Sequence, residues 1–248
     1  MQEYQVKSSI DGSMQPILFK KAKGEEKRPL LVVLHTWSCT RFDPVYRAEP
    51  FADEHNFNIL LPEFRGPNLV TNPNCKEACA SPKARQDVLD AIDYVVNNFE
   101  VDTDNILLFG CSGGGHMALI MAGIAPELFR AVAAFVPITN LAKWYTENER
   151  YAPHVKACCG SKAEMLRRSP VSFMDGIAKA NVKIFAGKYD KTVPVAHSED
   201  FYYNMKKKYP DAKIYLDIFD GGHDMDYNLA AYFYNSQMNK SQTEKVQG

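Results

Sequence analysis

Ser112, Asp190 and His223, residue types that together can perform nucleophilic catalysis, occupy comparable places in this 248-residue chain. The apolar run Ile106-Leu107-Leu108-Phe109 ends in Gly110-Cys111-Ser112-Gly113-Gly114-Gly115, and the helix-like run His116-Met117-Ala118-Leu119-Ile120-Met121-Ala122 follows at once. A strand, a tight Gly-x-Ser-x-Gly turn and a helix in succession present a serine hydroxyl at the strand's carboxyl end. Glycine neighbours permit so sharp a turn. Alone, the motif reads equally well as a glycine-rich turn with an incidental serine. Its partners decide between these readings. The run Val182–Gly187 leads into Asp190, and Ile214–Phe219 leads through Gly221-Gly222 into His223. A serine hydroxyl is a poor nucleophile until a base takes its proton and a third group orients that base. His223 suits the base, since an unperturbed imidazole titrates near neutrality. Asp190 is the acid of choice, because Asp217 lies within a strand run and Asp220 and Asp224 are too close to His223 in sequence.

A developing oxyanion needs two backbone N–H donors. Gly113, directly after the serine, supplies one, and Thr36 or Trp37, in the loop after the run Leu30–His35, supplies the other. Trp37, Arg65, His116 and Trp144 are the candidate substrate-binding residues. Trp37 and Arg65 follow strand runs, where α/β sites gather. Flat indole faces suit sugar rings or aryl acyl groups, and a guanidinium suits a carboxylate or carbonyl oxygen. His116 falls in the first turn after the motif, where pocket lining and a structural role are equally open. Trp144 and Tyr145 sit in the 139–180 stretch.

The elements that must position these residues alternate. Residues 3–10 and 15–20 read as two antiparallel strands around Asp11-Gly12. The continuous apolar run at 30–35 reads as a central strand buried on both faces, and 58–62, 131–137, 182–187 and 214–219 read as further strands. Residues 82–99 carry apolar positions at helical spacing, with Ser81 as N-cap and Pro82 at the first position. Residues 198–208 form another helix. Alternation of this kind predicts one α/β domain over 1–248, a mostly parallel central sheet flanked by helices. Residues 139–180 break the rhythm as a small cap or extended loop after the sixth strand, and 239–248 is a polar tail expected to fray.

Bulk properties fit a single enzyme domain. The 29 Lys and Arg nearly cancel the 30 Asp and Glu, and Lys206-Lys207-Lys208 reads as one solvated helix face, so nucleic acid is not an expected partner. No apolar run approaches the ~20 residues of a membrane span. The opening Met1–Val6 has no signal-peptide pattern, which leaves a secreted or periplasmic location if a leader was removed, and a cytoplasmic one otherwise. Of the six cysteines, Cys111 is expected to pack behind the serine. Cys75/Cys79 and Cys158/Cys159 lack zinc-site spacing, and no metal or organic cofactor is expected. A disulfide joining the 75–79 and 158–159 loops would favour a location outside the cytosol, its connectivity open.

Over roughly residues 29–235 the chain resembles the single-domain α/β-hydrolases related to the catalytic domain of prolyl oligopeptidases, many of them esterases. Leu31-Val32-Val33-Leu34-His35, Gly110–His116, Gly187-Lys188-Tyr189-Asp190 with Val193-Pro194, and Gly221-Gly222-His223 carry the likeness. It departs after His35, where the family often has glycine and this chain has Thr36-Trp37. The resemblance implies the α/β-hydrolase fold and a serine hydrolase that cleaves carboxylic esters through an acyl-enzyme, with small-molecule esters or acylated saccharides as substrates. A peptidase of the prolyl oligopeptidase type is the second expectation, disfavoured because those enzymes usually carry a gating domain for which the chain has no room before residue 30. A binding protein that kept the fold without catalysis is the third. The oligomeric state is open.

Overall fold

The computed structural model describes residues 1–246, and their side chains as far as residue 238; the expectation for the 239–248 tail falls outside the latter. Its strands are β1 (Gln2–Lys7), β2 (Met14–Lys20), β3 (Arg28–Leu34), β4 (Asn58–Pro62), β5 (Val101–Cys111), β6 (Ala131–Phe135), β7 (Val182–Gly187) and β8 (Ile214–Phe219). They form one sheet in the order β1-β2-β4-β3-β5-β6-β7-β8. The β1–β2 and β2–β4 pairs are antiparallel, and every pair from β4 to β8 is parallel. This is the mostly parallel α/β sheet expected from the alternating runs.

Helices α1 (Val45–His55), α2 (Pro82–Asn98), α3 (Gly113–Ile124), α4 (Leu141–Glu147), α5 (Ala152–Cys159), α6 (Lys162–Arg167), α7 (Met174–Ile177), α8 (Ala196–Lys208) and α9 (Tyr227–Val246) complete the fold. Strands β4 and β6 are buried along their whole length, as continuous apolar runs demand when helices cover both faces of a sheet. One face packs on α2, α3 and α8, the other on α1 and α9. Helix α2 starts as its sequence directs: the Ser81 hydroxyl accepts from the Ala84 N–H at 3.2 Å, and Pro82 opens the helix. Helix α3 is buried on every side from Gly113 to Ala122, which explains its lack of a polar face. It lies between the sheet and the 139–180 segment, where α4 to α7 and a short 3-10 turn form the expected cap with an apolar cluster of its own. No helix of the described residues is long and apolar enough to cross a membrane.

Arg65 ties the far edge of the sheet together. Its Nε donates to Asp87 Oδ2 on α2 at 2.5 Å, and Nη1 donates to Asp11 in the β1–β2 turn at 2.9 Å and to Glu77 at 3.0 Å. The Arg65 and Asp87 side chains are 5% and 1% exposed. Removing one partner strands the other as a desolvated charge, which typically costs more than the pair itself contributes. Asp87→Ala is therefore expected to lower unfolding stability by about 3 kcal/mol, read as a fall in denaturant midpoint with unchanged slope.

Candidate active site

Ser112 leaves β5 with φ 56° and ψ −116°, a backbone conformation that L-residues rarely occupy and that costs energy unless its surroundings enforce it. Neighbouring backbone enforces it here. The Ser112 N–H donates to the Phe135 carbonyl at the end of β6 at 2.9 Å, and its carbonyl accepts from the His116 N–H at 2.8 Å. A Cβ at Gly110 would collide with Gly114, one at Gly114 with the Leu34 carbonyl, and one at Gly115 would lie 2.8 Å from the Phe135 carbonyl oxygen. The turn fits only because these positions have no side chain. Ser112 keeps 7% of its surface exposed, at the amino end of the 12-residue α3, whose dipole favours nearby negative charge.

The oxyanion candidates meet as backbone. A Cβ on Gly113 would stand 2.6 Å from both the N and Cα of Trp37, so these two amides flank one another. Of the two residues left open by the sequence, Trp37 is the one alongside Gly113. Among the described residues neither the Gly113 nor the Trp37 N–H reaches an acceptor. The loop is held from behind: Trp37's carbonyl accepts from the Asn68 N–H at 2.8 Å, and His35, stacked on Phe64 at 3.9 Å, places its ring nitrogens against the Thr36 and Glu63 carbonyls.

Asp190 and His223 lie on adjacent loops, after β7 and β8. His223 Nδ1 and Asp190 Oδ2 are 2.7 Å apart. The other carboxylate oxygen, Oδ1, accepts from the N–H groups of Thr192 at 2.8 Å and Val193 at 2.9 Å. The Asp190 side chain is 1% exposed and His223 25%, so the acid is sheltered and the imidazole reaches solvent. Bonds from Lys188 N–H to the Phe219 carbonyl and from Tyr189 N–H to the Gly221 carbonyl lock the two loops together, and Gly187 lies so near the Gly222 carbonyl that a Cβ has no space. Among the described residues Ser112 Oγ has no hydrogen-bond partner; such links commonly tighten only when substrate binds. Chemically, the residues offer a serine hydroxyl, an imidazole oriented by a carboxylate, and a pair of amides without an internal acceptor among the described residues.

The residues expected around the substrate are placed otherwise. Arg65 is spent on its three carboxylates. His116 is buried in the cap contact, its Nε2 at 2.6 Å from the Arg168 carbonyl, and burial pushes its pKa down to about 4, the neighbouring arginines pushing the same way. Trp144 is 1% exposed and Trp37 2%. Their rings meet edge to face at 5.0 Å, with Tyr151 stacked on Trp144 at 4.9 Å. Large indoles sealed inside the cap's core contribute packing, so they are no platform for a ligand. Cys111 is buried behind Ser112 and pushed up to about 12, chiefly by desolvation.

Two features had no signal in the sequence. Trp144 Nε1 and Asn148 Nδ2 both donate to the Thr192 carbonyl, at 2.8 and 2.9 Å, so the cap grips the acid's loop. An apolar recess of 200 Å³ opens between Thr36, Pro44, Tyr46, Cys111, Met225 and Tyr227. It is bordered by chain neighbours of the oxyanion loop, the serine and the histidine. The Tyr227 hydroxyl is buried without a partner among the described residues. A reader of the sequence finds only the isolated Asn148 and Tyr227, since partners so distant in the chain leave no periodic trace.

Comparison with known proteins shows what the chain is similar to. The pattern described as the prolyl oligopeptidase family matches residues 81–240. Acylamino-acid-releasing enzyme 2 of Oryza sativa subsp. japonica is 24% identical over 229 residues, covering 83% of this chain and 29% of that enzyme. Feruloyl esterase B of Talaromyces funiculosus is 23% identical over 133 residues, covering 50% and 36% respectively. The structure of Pyrococcus horikoshii acylaminoacyl peptidase superposes with a TM-score of 0.75 at 21% identity, over 90% of this chain and 37% of that one. At that identity the likeness is one of fold. The chain spans less than two fifths of the length of each of these proteins.

Two measurements follow from the site's construction. His116 is neutral in the fold, with its pKa lowered from 6.5 to about 4. Its contribution is present above pH 6.5 and is lost as pH falls toward 4, because the unfolded state then binds a proton that the native state refuses. Unfolding free energy should drop by about 2 kcal/mol between pH 7 and pH 5 from this group alone, and His116→Gln should flatten that slope. Removing both donors to the Thr192 carbonyl, in the double variant Trp144→Phe with Asn148→Ala, should slow modification of Ser112 by a fluorophosphonate about tenfold through loss of two hydrogen bonds. Near-wild-type cooperative unfolding is expected alongside, and an unchanged labelling rate would dissociate the cap from the acid.

Proposed function

The chain belongs to the prolyl oligopeptidase family, and from that premise we propose that it is a serine hydrolase that cleaves carboxylic esters through an acyl-enzyme on Ser112. His223, oriented through Nδ1 by Asp190, takes the Ser112 proton at Nε2 while Oγ attacks the ester carbonyl. The tetrahedral oxyanion sits between the N–H groups of Gly113 and Trp37. Collapse expels the alcohol, which leaves with the proton held on His223. Water, deprotonated by the same imidazole, then attacks the acyl-enzyme, and the carboxylic acid departs with Ser112 restored. Thr36 orients the oxyanion loop through its carbonyl contact with His35.

The recess beside the elbow carries the preference for esters. At 200 Å³ and lined mainly by apolar side chains, it receives a short or aryl acyl group. Its charged side chain, Asp43, is occupied by the N–H and hydroxyl of Thr40, and Arg65, the cation nearest in expectation, is consumed elsewhere. A peptide terminus therefore meets no charged anchor there. The Tyr227 hydroxyl offers an aryl acyl group bearing an oxygen substituent a hydrogen bond. Tyr46, which lines the recess, and Tyr189, beside Asp190, are 70% and 58% exposed. Their open faces suit the sugar ring of an acylated saccharide. The partial likeness to a feruloyl esterase supports this reading. The longer likeness to acylamino-acid-releasing enzymes favours the second reading, a peptidase acting on small blocked peptides.

A fluorophosphonate should label the wild type, and Ser112→Ala should lose both labelling and roughly a thousandfold or more of hydrolysis. Across a panel of short-chain aryl esters, feruloyl and acetyl saccharides and acyl-aminoacyl anilides, the esters should give the higher kcat/KM. Tyr227→Phe should cut the advantage of feruloyl over unsubstituted cinnamoyl esters about tenfold, the size of one lost hydrogen bond. Preferential cleavage of the anilides would establish the peptidase reading instead.

A further inference from the structure

Four of the six cysteines converge in one place outside the candidate active site. Cys75 and Cys79 belong to the loop before α2, and Cys158 and Cys159 end α5. All four are buried and all are free thiols. The two loops that the sequence set as potential partners do meet. Cys79 Sγ and Cys159 Sγ are 3.9 Å apart across 80 residues of chain. The Cys158 thiol is within hydrogen-bonding reach of both Cys75 and Cys79. Among the described residues no group is arranged to hold a metal ion.

The contacts permit one complete pairing. Within the cluster Cys75 is in reach of Cys158, and Cys159 Sγ lies 3.9 Å from Cys79 Sγ. If all four are to be joined, the bridges are Cys75–Cys158 and Cys79–Cys159. The cluster is also reachable. A cleft of 380 Å³ is lined by Cys158, Cys159, Lys76, Glu164, Arg167 and Arg168, three cations against one carboxylate. The Cys158 thiol lies below the usual thiol range, held there by hydrogen bonds from Cys79 and Cys75 and by the Arg168 charge against the opposing effect of burial. The thiolate is the attacking species in disulfide exchange.

We propose that this cluster is a thiol–disulfide exchange site, which takes a small anionic disulfide in the basic cleft and closes to Cys75–Cys158 and Cys79–Cys159. The Cys158 thiolate attacks one sulfur of the small disulfide, forming a mixed disulfide and expelling one small thiolate. The Cys75 thiolate then attacks the Cys158 sulfur, expelling the second. At the second pair Cys159, which lines the same cleft, attacks another molecule and expels one small thiolate, and Cys79 then attacks the Cys159 sulfur and expels the second. Each bridge thus takes two electrons and two protons from two thiols and reduces one small disulfide to two small thiols. Closure staples the 68–80 loop to the cap. It reaches the oxyanion side through the Cys79 N–H, which donates to Asn68 Oδ1 at 2.6 Å, while the Asn68 N–H holds the Trp37 carbonyl. The assignment does not depend on which bond the hydrolase cleaves.

The test uses the whole folded chain incubated with oxidised glutathione, then denatured and titrated for thiols. Six thiols should fall to two, Cys39 and Cys111, and peptide mapping should recover the 75–79 segment joined to the 158–159 segment. The oxidised protein should melt several degrees higher, and the gain should vanish with reductant. Cys158→Ser, with its single remaining pair, should leave three titratable thiols, Cys39, Cys75 and Cys111; if that variant folds poorly, Cys75→Ser should keep the Cys79–Cys159 bridge and trap one glutathione on Cys158, leaving two, Cys39 and Cys111. Closure should be faster with oxidised glutathione than with cystamine, its cationic counterpart. Six thiols after incubation, stable glutathione adducts in place of bridges, or faster closure with cystamine would each overturn the proposal.

Discussion

Backbone pressed against backbone is the constraint on which the rest of this structure depends. Gly110, Gly113, Gly114 and Gly115 let the β5–α3 turn touch the β3 loop on one side and the end of β6 on the other. Ser112 tolerates its unusual φ only because those contacts, and the bond to the Phe135 carbonyl, leave it no relaxed alternative. A side chain at any of these positions would clash with neighbouring backbone. The same approach brings the Gly113 and Trp37 amides side by side, so one steric fact accounts for the serine's exposure and for the paired free donors.

A second backbone contact, Gly187 on Gly222, plays the corresponding part for the acid and the histidine. The two halves are coupled through the cap. Trp37 belongs to the oxyanion loop, and Trp144 donates to the loop that bonds Asp190. Their rings pack at 5.0 Å in a sealed apolar cluster. Close-packed interiors transmit displacement and do not absorb it. The cap therefore acts as a brace between both sides of the site, which is a different part from that of a lid.

Much of this was legible in the sequence because it is local. Continuous apolar runs report strands buried on both faces, Ser81-Pro82 reports a helix start, and a glycine-rich turn between strand and helix reports an elbow. Ser112, Asp190 and His223 each follow a strand, and the parallel sheet brings strand ends to one edge. The misplaced residues have one physical cause. Trp37, Trp144, Arg65 and His116 suggest ligand contacts because they can make strong contacts, yet the fold uses the same capacity internally. Arg65 finds Asp11, Glu77 and Asp87 at separations of 54, 12 and 22 residues, and pairing over such distances leaves no pattern to read. The oxyanion loop shows the reverse. Trp37 stands where the resemblance anticipated glycine, and its backbone still lies beside Gly113 because the indole turns away into the cap.

That use of the indole constrains where specificity can vary. The cap side of the site is filled by Trp37, Trp144 and Tyr151, and any enlargement there disturbs the oxyanion loop and the acid's support together. On the opposite side, between the start of α1 and the chain after His223, Tyr46 is exposed and Arg47 meets Asp224 in a solvated pair at 3.4 Å. Solvated pairs of this kind contribute little to stability. Residues there can change without loosening the elbow, the acid or the base. On the ester reading proposed above, new acyl groups would be accommodated from the α1 side, while the cap stays fixed by the two loops it braces.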